Sequence, residues 1–286
     1  MVERQQLQGR RVESPSSINM YKQCPRKYYY RYVERLPTGT SIHLIRGNVA
    51  HKVLEDFYDL ALEEDRTRNF RFLHLRLLKL FTVQWKRSKD ELEGLGMDDQ
   101  ELQGYFDETV MMLQNWFNRF KKRMQARMAN GEEFHEAFRN LTPKREAEYR
   151  SEEFMVRGYI DYIHEVDGNT LVMDYKTSKR DHISDEYKLQ LAIYALLYEE
   201  KHGVKPDYVG IDFLKSIEKM LPVDDELLQH ARFELEQIHA STGSDHLEDY
   251  PMRPSPLCKW RTGQCDYYDL CFGGKTVEEY RAEHKK

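Results

Sequence analysis

The chain reads as an α/β protein, a mixed central sheet flanked by helices. Three observations predict this. Phe154 to Lys176 alternates apolar and polar residues on both sides of an Asp-Gly pair, the pattern of a β-hairpin. Ser184 to His202 carries the apolar run LQLAIYALLY at helical length, and Tyr208 to Leu214 follows as a further strand. Ahead of the hairpin, 69–140 has apolar residues at helical spacing. The element order is therefore helices, three strands, helix, strand, helix.

Each element has a local cause. Residues 1–13 are polar and basic and are expected to form a flexible arm, with 14–286 a single domain. Ser14-Pro15-Ser16-Ser17 is a helix start, with hydroxyls for capping and a proline suited to the first turn, and that helix should end near Cys24-Pro25. Gly47 to Ala61 is amphipathic: Val49, Val53, Phe57 and Leu60 make an apolar stripe, while His51, Glu55 and Tyr58 share another face. Within 69–140, a helical insertion, Gly94-Leu95-Gly96 separates two long helices. Lys144 to Arg150 is the first strand, and Asp224 to Ala240 the last long helix. Residues 251–286 form a cysteine-bearing tail.

The 286 residues are 40% hydrophobic and 33% charged, with a net charge of −5. That composition suits a soluble globular chain and argues against one that coats nucleic acid without selectivity. No apolar run approaches the roughly 20 residues of a membrane span. Met1 to Arg11 has no apolar stretch of a secretory signal, so the cytoplasm is the expected compartment. Charge is uneven. Met1 to Arg35 holds eight Lys/Arg against three Glu, and Arg119, Lys121, Lys122, Arg123 and Arg127 form a second basic cluster. Either is a phosphate-tracking patch or a solvated helix face. In Arg26 to Arg35, Arg26, Lys27 and Arg31 interleave with Tyr28, Tyr29 and Tyr32, which suits stacking on single-stranded nucleic acid at about 1–3 kcal/mol per base. Packing of the same tyrosines onto the core is the equal alternative.

The chemistry concentrates on the hairpin. With Asp167 and Gly168 as a two-residue turn, Val166 faces Asn169 and Asp161 faces Asp174. Opposed like charges repel, by about 4 kcal/mol at roughly 4 Å and an effective dielectric near 20. Lys176 projects from the same face as Asp174, because strand side chains alternate. The other face, with Ile160, Tyr162, Leu171, Met173 and Tyr175, is a core face. A divalent cation between the acids would remove their repulsion; the plainer reading is a surface salt-bridge cluster. Further on, Gln190 and Tyr194 share one helix face.

Four cysteines in a chain of this kind point to metal or redox chemistry. Cys24 stands alone, while Cys258, Cys265 and Cys271 cluster. Four thiolates hold either Zn²⁺ or an iron–sulfur cluster, and the lack of paired C-x₂-C knuckles favours iron. Gly274-Lys275-Thr276 has the end of a P-loop, but the required earlier glycine is Asp269, so no ATPase motor is expected.

Gly158-Tyr159-Ile160-Asp161 followed by Asp174-Tyr175-Lys176 resembles the bipartite signature of PD-(D/E)XK nucleases, and is most similar to the RecB/AddB-like exonuclease branch. Gly47, His51, Leu54 and Glu55 match that branch's histidine helix, and Gln190 with Tyr194 its Q-x-x-x-Y motif. The resemblance implies a restriction-endonuclease-like core and metal-dependent hydrolysis of DNA, on single strands or ends. It implies Mg²⁺ or Mn²⁺ held by His51, Asp161, Asp174 and the carbonyl of Tyr175, with Lys176 orienting water or stabilising the phosphorane and Gln190 and Tyr194 in support. It also implies a [4Fe–4S] cluster on Cys24, Cys258, Cys265 and Cys271, with 251–286 closing onto Cys24. The C-terminal spacing departs from the usual C-x₂-C-x₅-C in having x₆ first. A helicase or recombination partner, and no membrane, would fit that role. Two other readings carry the same fold: a CRISPR spacer-processing nuclease, and a non-catalytic DNA-end-binding adaptor.

Overall fold

The computed structural model describes residues 11–62, 67–261 and 263–284, without the side chain of residue 146. The expected arm, 1–13, lies mostly outside them. Its last residues are part of the fold: the Glu13 carboxylate is buried and accepts from Ser17 Oγ, and the Glu13 backbone forms a parallel bridge with Val156.

Helix α1 (Pro15–Gln23) starts where Ser14 caps it, the Ser14 Oγ accepting from Ser17 N. A break at Cys24 leads into α2 (Pro25–Tyr28) and a π-helical turn, Tyr29–Val33. The next helix, α3 (Ile42–Phe57), begins five residues before the expected Gly47 because Ser41 supplies the cap. The insertion comprises α4 (Phe70–Arg87), the short α5 (Lys89–Glu93), α6 (Asp99–Ala129) and α7 (Phe134–Asn140). Its break falls at Gly94, and Asp98 caps α6.

The sheet has five strands in sequence order: β1 (Lys144–Ser151), β2 (Val156–Val166), β3 (Asn169–Lys176), β4 (Tyr208–Phe213) and β5 (Glu218–Pro222). β3 and β4 are parallel, joined through α8 (Asp185–His202); β2–β3 and β4–β5 are antiparallel. The turn is as predicted, with positive φ at Asp167 (52°) and Gly168 (79°), and Val166 opposes Asn169. The sheet is thus mixed and flanked by helices, in agreement with the predicted class.

Strand β5 was not foreseen. Its sequence, EKMLP, mixes charges with a proline and suits only an edge. It sets a tight condition on β4. A Cβ at Gly210 would lie 2.6 Å from the Lys219 carbonyl oxygen and 2.8 Å from Met173 Sδ. Gly210→Ala is expected to cost about 1–3 kcal/mol, as overpacking does; chemical denaturation checks this.

Two compact units divide the chain. One comprises 40–149 and 159–225, the other 1–39, 150–158 and 226–286. In the first, α3 and the insertion pack on one sheet face around Val49, Val53, Phe57, Leu113, Trp116 and Phe120, with Tyr162, Met173 and Tyr175 from the sheet. One cluster of the second is almost wholly phenolic, with Tyr28, Tyr29, Tyr30, Tyr250, Tyr267 and Tyr280 around Leu36, while Ile18, Leu228, Leu235 and Ile238 are buried elsewhere in the same unit. Helix α9 (Asp225–Ser241) and the tail, with strands β6 (Lys259–Trp260) and β7 (Gly263–Gln264) and helices α10 (Tyr268–Phe272) and α11 (Val277–Glu283), complete it.

Candidate active site

The hairpin ladder runs regularly to Tyr162–Met173 and stops there. Asp161 and Asp174 are next in line but are not a ladder pair. Instead the Tyr175 N–H donates to Asp161 Oδ2 at 2.7 Å, so a carboxylate takes the place of a strand carbonyl. The acid-bearing face is also not open to solvent, since α8 packs across β3 and β4. Asp161 is 9% exposed and Asp174 3%.

Neighbouring side chains relieve the expected repulsion. His51 Nδ1 donates to Asp161 Oδ1 at 3.2 Å. Burial disfavours the imidazolium, yet Asp161, and more weakly Asp174, hold the His51 pKa above its ordinary value. The Tyr175 ring stands edge-on to the imidazole, with centroids 5.8 Å apart. Lys176 Nζ pairs with Asp174 Oδ2 at 2.6 Å. Burial pushes the Asp174 carboxyl upward, Lys176 opposing and Asp161 adding to the shift. The Lys176 ammonium is disfavoured by burial, but Asp174 raises its pKa overall. Gln190 Nε2 donates to Asp174 Oδ1 and to the Tyr194 hydroxyl, each at 2.8 Å. The i, i+4 pair on α8 therefore reaches the acids directly.

A divalent ion suits these donors. Asp174 Oδ2 is buried and has only the Lys176 ammonium as its partner among the described residues. With Nδ1 committed to Asp161, His51 keeps Nε2 as its ligating atom. Among the described residues no three His, Cys, Asp or Glu side chains form a ready metal cage; each acid is balanced by a base instead.

One contact was missed from the sequence. Lys176 Nζ lies 5.3 Å from the Tyr187 ring centroid. Tyr187 is one turn ahead of Gln190 on the same helix, so the i, i+3, i+7 spacing of 187, 190 and 194 was the available sign.

Most of the basic residues singled out by the sequence have partners within the fold. Arg119 pairs with Asp212 and Arg123 with Glu218, while Arg127 meets Glu132 at 2.7 Å. These three arginines tie down acids, and Lys121 Nζ lies 5.3 Å from the Phe70 ring centroid. Tyr28, expected as a DNA-stacking residue, is 1% exposed, and its hydroxyl donates to Glu13 at 2.5 Å. Its ring stacks on Tyr250, so packing decides that alternative. Of its cationic neighbours, Arg26 donates to the Tyr250 carbonyl at 2.7 Å, Arg31 to the Leu36 carbonyl, and Lys27 to Gln23 Oε1.

Cys24, Cys258, Cys265 and Cys271 are free, half-buried thiols lining one pocket of the second unit. The unusual x₆ gap has a structural cause. Residues 259–264 carry strands β6 and β7, and the Cys265 N–H donates to the Cys258 carbonyl at 2.9 Å, so the hairpin brings the two cysteines side by side. Burial, followed by the three neighbouring thiols, pushes Cys271 up to about 11, and burial raises Cys265 as well. Four thiols in one pocket are a donor set of the zinc or iron–sulfur type, although no three of them stand as a ready metal cage among the described residues. Thr262, Lys285 and Lys286 of the expected 251–286 clasp lie outside the described residues.

A carboxylate pair and a lysine two positions after the second acid, set on the central hairpin of a mixed sheet, define a nuclease-type α/β protein. The chain matches the family model of the PD-(D/E)XK nuclease superfamily over residues 13–272 and belongs to that superfamily. It is 29% identical over 160 residues to the CRISPR-associated exonuclease Cas4 of Francisella tularensis subsp. novicida, covering 50% of this chain and 77% of that protein. It is 25% identical over 216 residues to the Gene 69 protein of Mycobacterium phage D29, covering 71% and 74%. A candidate exonuclease of Eubacterium rectale shares the fold, with a TM-score of 0.50 at 15% identity over 95% of this chain and 91% of the other. No helix among the described residues is long and apolar enough to cross a membrane.

Proposed function

We propose that the chain is a metal-dependent deoxyribonuclease of the RecB/AddB-like branch, acting on single-stranded DNA or DNA ends in repair or recombination. The supporting observation is the convergence of His51, Asp161, Asp174, Lys176 and Gln190 at the end of the hairpin. His51, Asp161, Asp174 and the Tyr175 carbonyl would hold Mg²⁺ or Mn²⁺. When bound, such an ion lowers the pKa of an attached water and stabilises charge on the phosphate. Gln190, braced by Tyr194, keeps Asp174 Oδ1 oriented. Lys176 carries the positive charge next to the reacting phosphate, and Tyr187 limits its movement. A helicase or recombination complex is the partner this role calls for.

We assign the four-thiol pocket to a [4Fe–4S] cluster that closes the tail onto Cys24. The similarity to a CRISPR-associated exonuclease favours a second reading, processing of DNA in CRISPR adaptation.

End-labelled single strands incubated with Mn²⁺ or Mg²⁺ are expected to be shortened progressively, and to stay intact in EDTA. No cleavage with either ion would overturn the assignment.

A further inference from the structure

Beside Lys176 lies a cavity of about 740 Å³, within the roughly 300–1,000 Å³ of ligand sites. It sits past the carboxyl ends of the parallel strands β3 and β4, where α/β sheets generally bind ligands. Its wall joins Thr177 and Lys215, which follow those strands, to Arg46 of α3 and Tyr105 and Glu108 of α6.

The cations are held firmly. Asn115 Nδ2 donates to the carbonyls of Leu214 (3.3 Å) and Lys215 (3.2 Å), and Arg119 donates to that of Ser216, so α6 fixes the turn bearing Lys215. Arg46 is 3% exposed. Its Nη2 donates to the Thr177 carbonyl at 3.1 Å, and its guanidinium lies over the Tyr105 ring. The Nε–H finds no acceptor among the described residues. A guanidinium so deeply buried needs an anion opposite it. The anion present is Glu108: Arg46 Nη1 holds one carboxylate oxygen and Lys215 Nζ the other, at 2.5 Å. Burial opposes the Glu108 charge, but Lys215 and Arg46 outweigh it and hold the carboxyl below its ordinary range. Two anionic oxygens bridged by an arginine and a lysine form a geometry that a phosphate reproduces.

We propose that this cavity is a phosphate subsite for a single-stranded nucleic acid, in which Arg46 and Lys215 bind a phosphate next to the scissile one and Glu108 occupies their place until the strand displaces it. The proposal rests on the nuclease reading and adds a substrate contact to it. The helical insertion thereby acquires a role, since α6 supplies the stand-in carboxylate and fixes the lysine that releases it. The phosphate is either an internal diester or the monoester of a strand end.

The test is binding of fluorescein-labelled single strands in EDTA, where nothing is cut, with 5′-phosphorylated and 5′-hydroxyl versions. Glu108→Gln is expected to tighten binding by about tenfold, the worth of one charged hydrogen bond. Lys215→Ala should weaken it and reduce the salt slope by about 0.7, one phosphate contact. Effects on both strand types assign an internal diester; effects on the phosphorylated strand alone assign the end. Lys215→Gln, which keeps most of the side-chain length and leaves the Arg46–Glu108 pair in place, replaces Lys215→Ala if that variant folds poorly. If wild type cuts DNA and both variants bind as wild type does, the subsite is overturned and the nuclease reading stands. A wild type that neither binds nor cuts overturns both.

Discussion

Replacing Lys176 by alanine is expected to lower the cleavage rate by about 100- to 1,000-fold, the range seen when one preorganised transition-state donor is removed. Affinity for single-stranded DNA in EDTA should stay near wild type, because Arg46 and Lys215 remain. The ion pair with Asp174 adds a second effect. Without Lys176 the Asp174 carboxylate, 3% exposed, keeps Gln190 as its hydrogen-bond partner and loses its nearest cation. Its already raised pKa should rise further, since the cation that opposed the shift is gone. Lys176→Arg separates the two effects: it restores charge beside Asp174 but not the point geometry of an ammonium. Titration calorimetry with Mn²⁺ beside a nuclease assay reads both. A fully active Lys176→Ala protein would sink the active-site assignment.

Cys24→Ala should yield colourless protein that melts lower and is cut more readily by protease. Cys24 and Cys258 are 234 positions apart, and closing so long a loop costs roughly 5 kcal/mol of entropy. The tyrosine core already joins the same segments, since Tyr28 stacks on Tyr250 and Tyr267 donates to the Leu36 carbonyl at 3.1 Å. The loss is therefore partial, about 2 kcal/mol, or roughly 4–8 °C in melting temperature. Colourless wild-type protein with stoichiometric zinc and no iron would replace the iron–sulfur cluster by zinc and leave the clasp. A Cys24→Ala protein melting like wild type would remove the clasp.

What was legible in the sequence was local. The Asp-Gly turn set the hairpin, Ser14 and Ser184 set two helix starts, and i, i+4 spacing put Gln190 and Tyr194 on one face. What was not legible depends on partners distant in the chain. Nothing near Asp174 announces that α8 will bury it, and nothing near Arg119 announces Asp212. Glu108 lies 62 positions from Arg46 and 107 from Lys215. Composition misled at Tyr28, because aromatic rings among cations suit a base stack and a phenolic core alike.

The second unit draws on three separate stretches of chain, and this imposes an order on synthesis. Its first stretch leaves the ribosome without the last one, and residues 40–225 must be made in between. At about 5–20 residues per second that interval is roughly 10–40 s. During it Tyr28, Tyr29 and Tyr30 have no Tyr250, Tyr267 or Tyr280 to pack against, and Cys24 has no neighbouring thiols. The sheet-bearing unit has all its residues by position 225 and is free to fold first. A nascent chain stalled short of the tail therefore carries a complete set of acids together with an unfinished tyrosine core and a lone reduced cysteine.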